Sequence, residues 1–269
     1  MRPESSIITL LTDFGSQDYF VGAMKGVILS INPDACIVDI THEIPPQDIH
    51  AGAFNLLASY KSFPSGTIQL AVVDPGVGSA RRPILVESGG QYFVGPDNGI
   101  FSWVCQREGN YRVFHLTNDK FFRLPLSATF HGRDLFAPVA AALSKGVAPE
   151  EFGPQIGDLV QLESVNPKAD VNGMTEARII HVDRFGNCIT NLTRENFGEQ
   201  LDNAKLIIND RQIESFREFF ADADDQKSEL FGVFGSSGFL EIAKQNASAS
   251  EALHARRGER VLLIAGDSN

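Results

Sequence analysis

The stretch IITLLTDFGSQDYFVGAMKGVILSINPDACIVDI, residues 7–40, decides the fold. Ile7 to Leu11 is a short apolar run of strand length, ending in Thr12-Asp13-Phe14-Gly15. Tyr19 to Ile31 then carries apolar residues at helical spacing and stops at Asn32-Pro33, where proline cannot continue a helix. Cys36 to Ile40 reads as the next strand. Two short strands separated by a helix make a βαβ unit, whose strands pair in parallel while the helix covers one face. The same alternation continues outward. Gln47 to Tyr60 reads as a helix, and Thr67 to Val73 as a strand running into Asp74-Pro75-Gly76-Val77-Gly78. Pro83 to Glu87 and Gln91 to Val94, joined by Gly89-Gly90, read as a hairpin or adjoining strands. Phe101 to Arg107 reads as a short helix, Tyr111 to Leu116 as a strand, and Gly132 to Ser144 as a helix. The expectation is an α/β N-terminal domain with a mainly parallel central sheet.

Beyond that helix the texture changes. Residues 147–173 are rich in Pro, Gly and acids, so the boundary is expected near 165–172, giving domains of 1–168 and 169–269. Glu176 to Val182, Lys205 to Ile208, Gly238 to Ala243 and Arg260 to Ala265 read as strands between turns. They predict a smaller, β-barrel-like C-terminal domain. An acidic loop lies around Asp222 to Asp225.

The whole chain has 269 residues, 43% of them hydrophobic, which suffices for a sizeable core. A formal net charge of -11 argues against nucleic acid or an anionic membrane as partner, since both are bound through clustered Lys and Arg. Cys36, Cys105 and Cys188 are too far apart for a zinc or disulfide pattern, which suggests a reducing, cytoplasmic setting and no metal. Ile7 to Leu11 is too short for a signal-peptide core, and no stretch nears the roughly 20 apolar residues of a membrane helix.

Chemistry gathers at the strand ends, where open α/β sheets bind ligands. Asp13 and Asp74 each follow an apolar strand. Each could simply cap a turn, or accept the hydroxyls of a ribose diol, or pair with a cation; Asp18 adds a second acid nearby. In Asp74-Pro75-Gly76-Val77-Gly78-Ser79-Ala80-Arg81-Arg82, either arginine can fold back on Asp74, as a structural clamp or as part of a site. Were a histidine to meet that pair, the trio would handle water. His131, in Thr129-Phe130-His131-Gly132-Arg133-Asp134, is the candidate, expected at a helix start that lowers its pKa. Arg133 and Asp134 read as a helix-start pair. The string resembles a kinase catalytic loop, but Asp13-Phe14-Gly15 precedes it, the reverse of the kinase order. In the second half Asp183 could meet an ammonium and Asn187 a heterocycle edge, or both could belong to a plain turn. Gly235-Ser236-Ser237-Gly238 could offer backbone contacts to a carboxylate.

Six strings in order, TDFGSQDYFVGAMKG, VVDPGVGSARR, GPDNG, TFHGRD, VDRFGNCITN and SSGFLEIA, resemble the S-adenosyl-L-methionine (SAM) hydrolase family, or SAM hydroxide adenosyltransferases, in the superfamily of the fluorinase and chlorinase. The resemblance covers nearly the whole chain. It implies hydrolysis of SAM to adenosine and L-methionine by in-line attack of water or hydroxide at the ribose C5′, with no cofactor. It further implies a homotrimer with the ligand at subunit interfaces. Asp74, Arg81 and His131 match the set that handles the attacking water, with His131 accepting or relaying its proton. Asp13 matches the ribose contact, Asp18 and Asp183 the methionine end, Asn187 an adenine contact, and Ser236 the methionine carboxylate. Phe231, Phe234 and Lys244 match the adenine end more loosely. His131-Gly132 stands where the halogenases have Ser or Gly after an aromatic residue, which favours hydroxide over halide. The alternatives are a chlorinase-like halide transfer and a non-catalytic SAM or adenosine sensor.

Overall fold

The structure is a computed structural model that describes residues 7–169, 174–198, 201, 204–220 and 230–264. By its contacts the chain divides into two compact units, Met1–Glu163 and Ser164–Asn269.

In the first unit seven strands form one sheet: β1 (Ile7–Thr12), β2 (Cys36–Thr41), β3 (Ile68–Val72), β4 (Pro83–Ser88), β5 (Gln91–Pro96), β6 (Tyr111–His115) and β7 (Gln155–Ile156). Their order is β2-β1-β3-β5-β4-β6-β7. The β2-β1-β3-β5 half is parallel, as the βαβ reading requires, while β4, β6 and β7 extend it antiparallel. The Gly89-Gly90 hairpin accounts for that switch of direction: both glycines have positive φ, 57° and 74°, which lets β4 turn directly back into β5.

The α-helices α1 (Phe20–Ile31), α2 (Ile49–Ser59), α3 (Ser102–Glu108) and α4 (Ala137–Ser144) cover the sheet. Helices α1 and α4 pack Met24, Ile28, Val139 and Leu143 onto Ile8, Leu10, Leu70 and Val72. Burial of such a side chain contributes about 1.5 to 3 kcal/mol, so Leu10→Ala, at a fully buried position, should cost about 2 to 5 kcal/mol. Helix α2 begins on Asp48, whose carboxylate accepts the Ala51 N–H at 3.0 Å.

The helix expected over Gly132 to Ser144 forms differently. Gly132–Phe136 is a π turn, and the α-helix begins only at Ala137. Pro138 has no N–H to donate to the Asp134 carbonyl, and that carbonyl accepts from the Arg123 N–H at 2.8 Å instead.

The described residues of the second unit form one nine-stranded, curled sheet. Its strands are β8 (Lys168–Ala169), β9 (Met174–Val182), β10 (Cys188–Thr193), β11 (Lys205–Ile208), β12 (Arg211–Ile213), β13 (Phe216–Arg217), β14 (Leu230–Phe234), β15 (Phe239–Lys244) and β16 (Arg260–Ile264). The short helices α5 (Arg194–Phe197) and α6 (Ala249–Leu253) flank it. The order is β12-β11-β16-β9-β10-β15-β14-β13, with β8 paired to β9. All pairs are antiparallel except β13 with β14. Ile179, Leu192, Leu206, Leu240, Ile242, Val261 and Leu263 form its core. The strand at Cys188–Thr193, not read as a strand from the sequence, is central to this sheet. The acidic loop around Asp222 to Asp225 and Ala265 lie outside the described residues.

Among the described residues no helix is long and apolar enough to cross a membrane.

Candidate active site

In the first unit the register pairs Thr12 with Val72, so the loops after β1 and β3 leave the sheet at one edge. Asp74 starts the second loop, and Asn98 from the GPDNG string steadies it by donating to the Val73 carbonyl at 2.8 Å. Its neighbour Asp97 is a brace as well, accepting from Arg82 Nε and the Val160 N–H, both at 2.8 Å. Of the two arginines only Arg81 folds back on Asp74; Arg82 serves Asp97 and Asp158.

Arg81 Nε donates to both Asp74 oxygens at 2.9 and 3.0 Å, and its Nη2 donates to Oδ2. The same Nη2 lies 2.8 Å from His131 Nδ1. Both partner side chains of the ion pair are nearly closed off from water, 5% exposed for Asp74 and 10% for Arg81. Charge-assisted, forked pairs of this kind are strong, and removing one member of a buried pair costs about 3 to 5 kcal/mol. The guanidinium also stands 5.2 Å from the Phe136 ring centroid.

The contact sets the state of the imidazole. A guanidinium only donates, so His131 Nδ1 accepts and the proton of the neutral ring sits on Nε2. Burial, and then the Arg81 charge, hold the His131 pKa below its ordinary value; Asp74 and Asp134 oppose this more weakly. The cause is thus burial and a neighbouring cation rather than the expected helix end. His131 therefore presents an N–H and Arg81 a fixed positive charge, which together can hold a small anionic oxygen. To act as a base at Nδ1, the ring must first give up its bond to Arg81.

Two loops create this meeting. Gly78 has φ +77°, and a Cβ there would lie 2.3 Å from the Ala128 carbonyl oxygen, so the Arg81 loop can press against residues 127–129 only with glycine at this point. Asp134, 1% exposed, anchors that second loop. Its carboxylate accepts from Arg133 Nε at 2.6 Å, Arg133 Nη2 at 2.8 Å and the Ser127 N–H at 3.0 Å. Arg133 and Asp134 thus carry the structural part of the motif, and His131 the part turned to Arg81.

Asp13 accepts the Gln47 N–H at 2.8 Å through Oδ2 and is half-buried; Asp18 is exposed. A brace that sequence reasoning missed lies behind them. His42 Nδ1 is 2.9 Å from Thr12 Oγ1, its carbonyl accepts the Gly15 N–H at 2.8 Å, and its Nε2 lies 3.1 Å from Asp39. Its position just after β2 was the available signal.

In the second unit a cavity of about 930 Å³ opens beside the β9–β10 turn. Asp183, Asn187 and Ser236 line it, as do Phe231 and Lys244, whereas Phe234 instead stacks under Arg194 at 4.7 Å. Asp183 Oδ1 accepts the Phe185 and Asn187 N–H groups at 2.9 and 2.8 Å, and Oδ2 accepts from Asn187 Nδ2 at 2.9 Å. That orients the Asn187 amide and leaves its oxygen and one N–H for a ligand. Glu241, absent from the sequence reading, also lines the cavity. Burial and the Asp183 charge push its pKa up to about 7.

Among the described residues, no group of three or more His, Cys, Asp or Glu side chains is placed to hold a metal ion. A guanidinium and a neutral imidazole in one unit, with a ligand-sized cavity carrying a few polar groups in the other, are the equipment of an enzyme that works on a small organic molecule. The comparisons narrow that class. Residues 8–153 match the SAM hydroxide adenosyltransferase N-terminal domain and residues 177–262 its C-terminal domain. A protein of Methanocaldococcus jannaschii named (R)-S-adenosyl-L-methionine hydrolase is 37% identical, over 96% of this chain and 95% of its own. One of the same name from Thermus thermophilus is 36% identical, over 98% and 100%. The crystal structure of an uncharacterized conserved protein from Thermotoga maritima superposes with a TM-score of 0.88 at 34% identity, covering 96% of this chain and 99% of that one. The chain belongs to the SAM hydroxide adenosyltransferase family.

Proposed function

We propose that the protein hydrolyses SAM to adenosine and L-methionine. The single observation that carries the mechanism is the Asp74–Arg81–His131 centre, with its neutral imidazole. Arg81 and the His131 Nε2–H hold hydroxide, or a water losing its proton to solvent, and Asp74 fixes the guanidinium. The oxygen forms a bond to C5′ on the side opposite sulfur. The C5′–S bond breaks with its electron pair passing to sulfur, which turns a sulfonium into the neutral thioether of methionine. Such a leaving group needs no general acid, and the reaction draws on no cofactor or metal.

Asp13 takes the ribose hydroxyls and Asp18 the methionine end. In the C-terminal cavity Asn187 reads the adenine edge, Asp183 meets the amino group, and Ser236 meets the methionine carboxylate. The working form is a homotrimer in the cytoplasm with ligand at the subunit interfaces, and the curled C-terminal sheet is barrel-like. The family membership and the names of the full-length relatives support the substrate.

Arg81→Ala and His131→Ala test the assignment. Each should lower kcat about 100-fold or more while the Kd for SAM stays within a few-fold. Equal losses in kcat and affinity would make both residues part of ligand binding and remove them from the chemistry.

A further inference from the structure

The cavity of the C-terminal unit contains a carboxylate, Glu241, that forms no hydrogen bond or ion pair among the described residues. Glu241 sits on β15 between Leu240 and Ile242, both fully buried on the opposite face, so alternation along the strand turns it toward the cavity. Its neighbours on that face, Phe239 and Ala243, are each 1% exposed. Across the ladders it faces Val233 on β14 and Ile189 on β10. An apolar residue would be the stabilising choice there.

Gly235 makes room for it. A Cβ at Gly235 would lie 1.7 Å from Glu241 Oε1, and Gly235 has no positive φ that would otherwise call for glycine. The carboxyl therefore stands directly over the backbone of the β14–β15 turn, beside Ser236. Asp183, the other acid of the cavity, already accepts three N–H bonds from its own turn. Lys244 on β15 also lines the cavity, and Arg217 stacks at 4.0 Å on the Phe231 ring that forms part of its wall. Neither of these cations forms an ion pair with Glu241 among the described residues. Among the described residues, the carboxylate of this cavity that no hydrogen bond or ion pair engages is that of Glu241.

We propose that Glu241 is a specificity-determining residue: beside Asp183, it receives the protonated amine of the ligand's amino-acid end, and so makes the cavity prefer a cationic adenosine derivative to neutral adenosine. This rests on the cavity binding SAM as proposed above. Near neutral pH, burial and the facing Asp183 charge keep Glu241 about half in its protonated form. Binding of the ammonium ionises the protonated fraction, the ion pair forms, and that fraction's proton passes to solvent. Adenosine has no such group and drives no release. The substrate is thereby favoured over the nucleoside product, which helps adenosine leave.

The test is calorimetric titration of S-adenosylhomocysteine, which keeps the ammonium but lacks the sulfonium, and of adenosine, in two buffers of different ionisation enthalpy at pH 7. The wild-type protein should release about half a proton with S-adenosylhomocysteine and none with adenosine. Glu241→Gln should abolish the release and weaken S-adenosylhomocysteine about 10-fold or more, leaving adenosine within about two-fold. Binding of both ligands to the wild-type protein without proton release overturns the role of Glu241 while the SAM reading stands, and needs no variant to fold. Equal weakening of both ligands by Glu241→Gln also overturns it. Failure of the wild-type protein to bind either ligand overturns this proposal together with the reading of the cavity.

Discussion

A carboxylic acid held protonated inside the protein should weaken the fold as pH rises, and Glu241→Gln should remove that penalty. The unfolded chain ionises this group near 4.5, and the folded chain only near 7. Between those values the folded state keeps a proton that the unfolded state has lost, so unfolding becomes easier with rising pH. The loss is absent below about pH 4.5 and complete above about pH 7. At about 1.4 kcal/mol per pH unit the ceiling is about 3 kcal/mol, and partial access of solvent to the carboxyl brings the expectation to about 1 to 3 kcal/mol. Glutamine is nearly isosteric and does not titrate, so any packing change it causes is the same at every pH and cancels in the comparison. Urea unfolding followed by far-ultraviolet circular dichroism at pH 5 and pH 8 gives the difference between variant and wild type at each pH. The fluorescence of Trp103, the single tryptophan and located in the N-terminal unit, reports that unit separately. The variant should gain stability relative to wild type on going from pH 5 to pH 8. A gain that is the same at both pH values, or absent at both, would refute the argument that Glu241 is held protonated.

Three further outcomes follow from the N-terminal centre. Because burial and Arg81 hold the His131 pKa below 6.5, the neutral imidazole persists on the acid side of that value. The acid limb of kcat/KM should accordingly fall below pH 6.5 and vanish in His131→Ala; a limb above 6.5 that survives the substitution assigns it elsewhere. Arg81→Lys keeps the charge but cannot span both Asp74 oxygens and His131 Nδ1, so kcat should fall about 100-fold with little change in ligand affinity; near-normal turnover would mean that charge alone suffices. Gly78→Ala puts a methyl 2.3 Å from the Ala128 oxygen at φ +77°. It should cost about 2 kcal/mol of stability in thermal unfolding and lower kcat by misplacing Arg81, whereas a neutral variant would show that the two loops need not touch.

How much of this was readable in the chain depends on what each feature required. The β1-α1-β2 unit was legible because its periodicity and its Asn32-Pro33 stop are local. The Asp74-to-Arg82 loop was legible because paired glycines beside a carboxylate and two arginines have few alternative uses; only the choice of Arg81 needed the fold. The π turn was not read, since it depends on Pro138 releasing a carbonyl to Arg123, eleven residues before Asp134. Strand β10 was missed because its buried Thr190 and Asn191 break the apolar pattern. They are satisfied across the sheet, Thr190 donating to the Leu240 carbonyl and Asn191 accepting the Arg178 N–H, both at 2.8 Å. Glu241 was missed for the opposite reason: one acid in an apolar strand reads as an ordinary solvent-facing position. Only the cavity and Gly235 distinguish it.

In the proposed reaction water attacks C5′ of SAM. Purified protein incubated with SAM in chloride-free buffer made with oxygen-18 water, with products followed by mass spectrometry, tests it most directly. Adenosine carrying one oxygen-18 at its 5′ hydroxyl is expected, together with an equimolar amount of unlabelled L-methionine. Unchanged SAM despite measurable binding would contradict it and make the protein a sensor of SAM rather than its hydrolase.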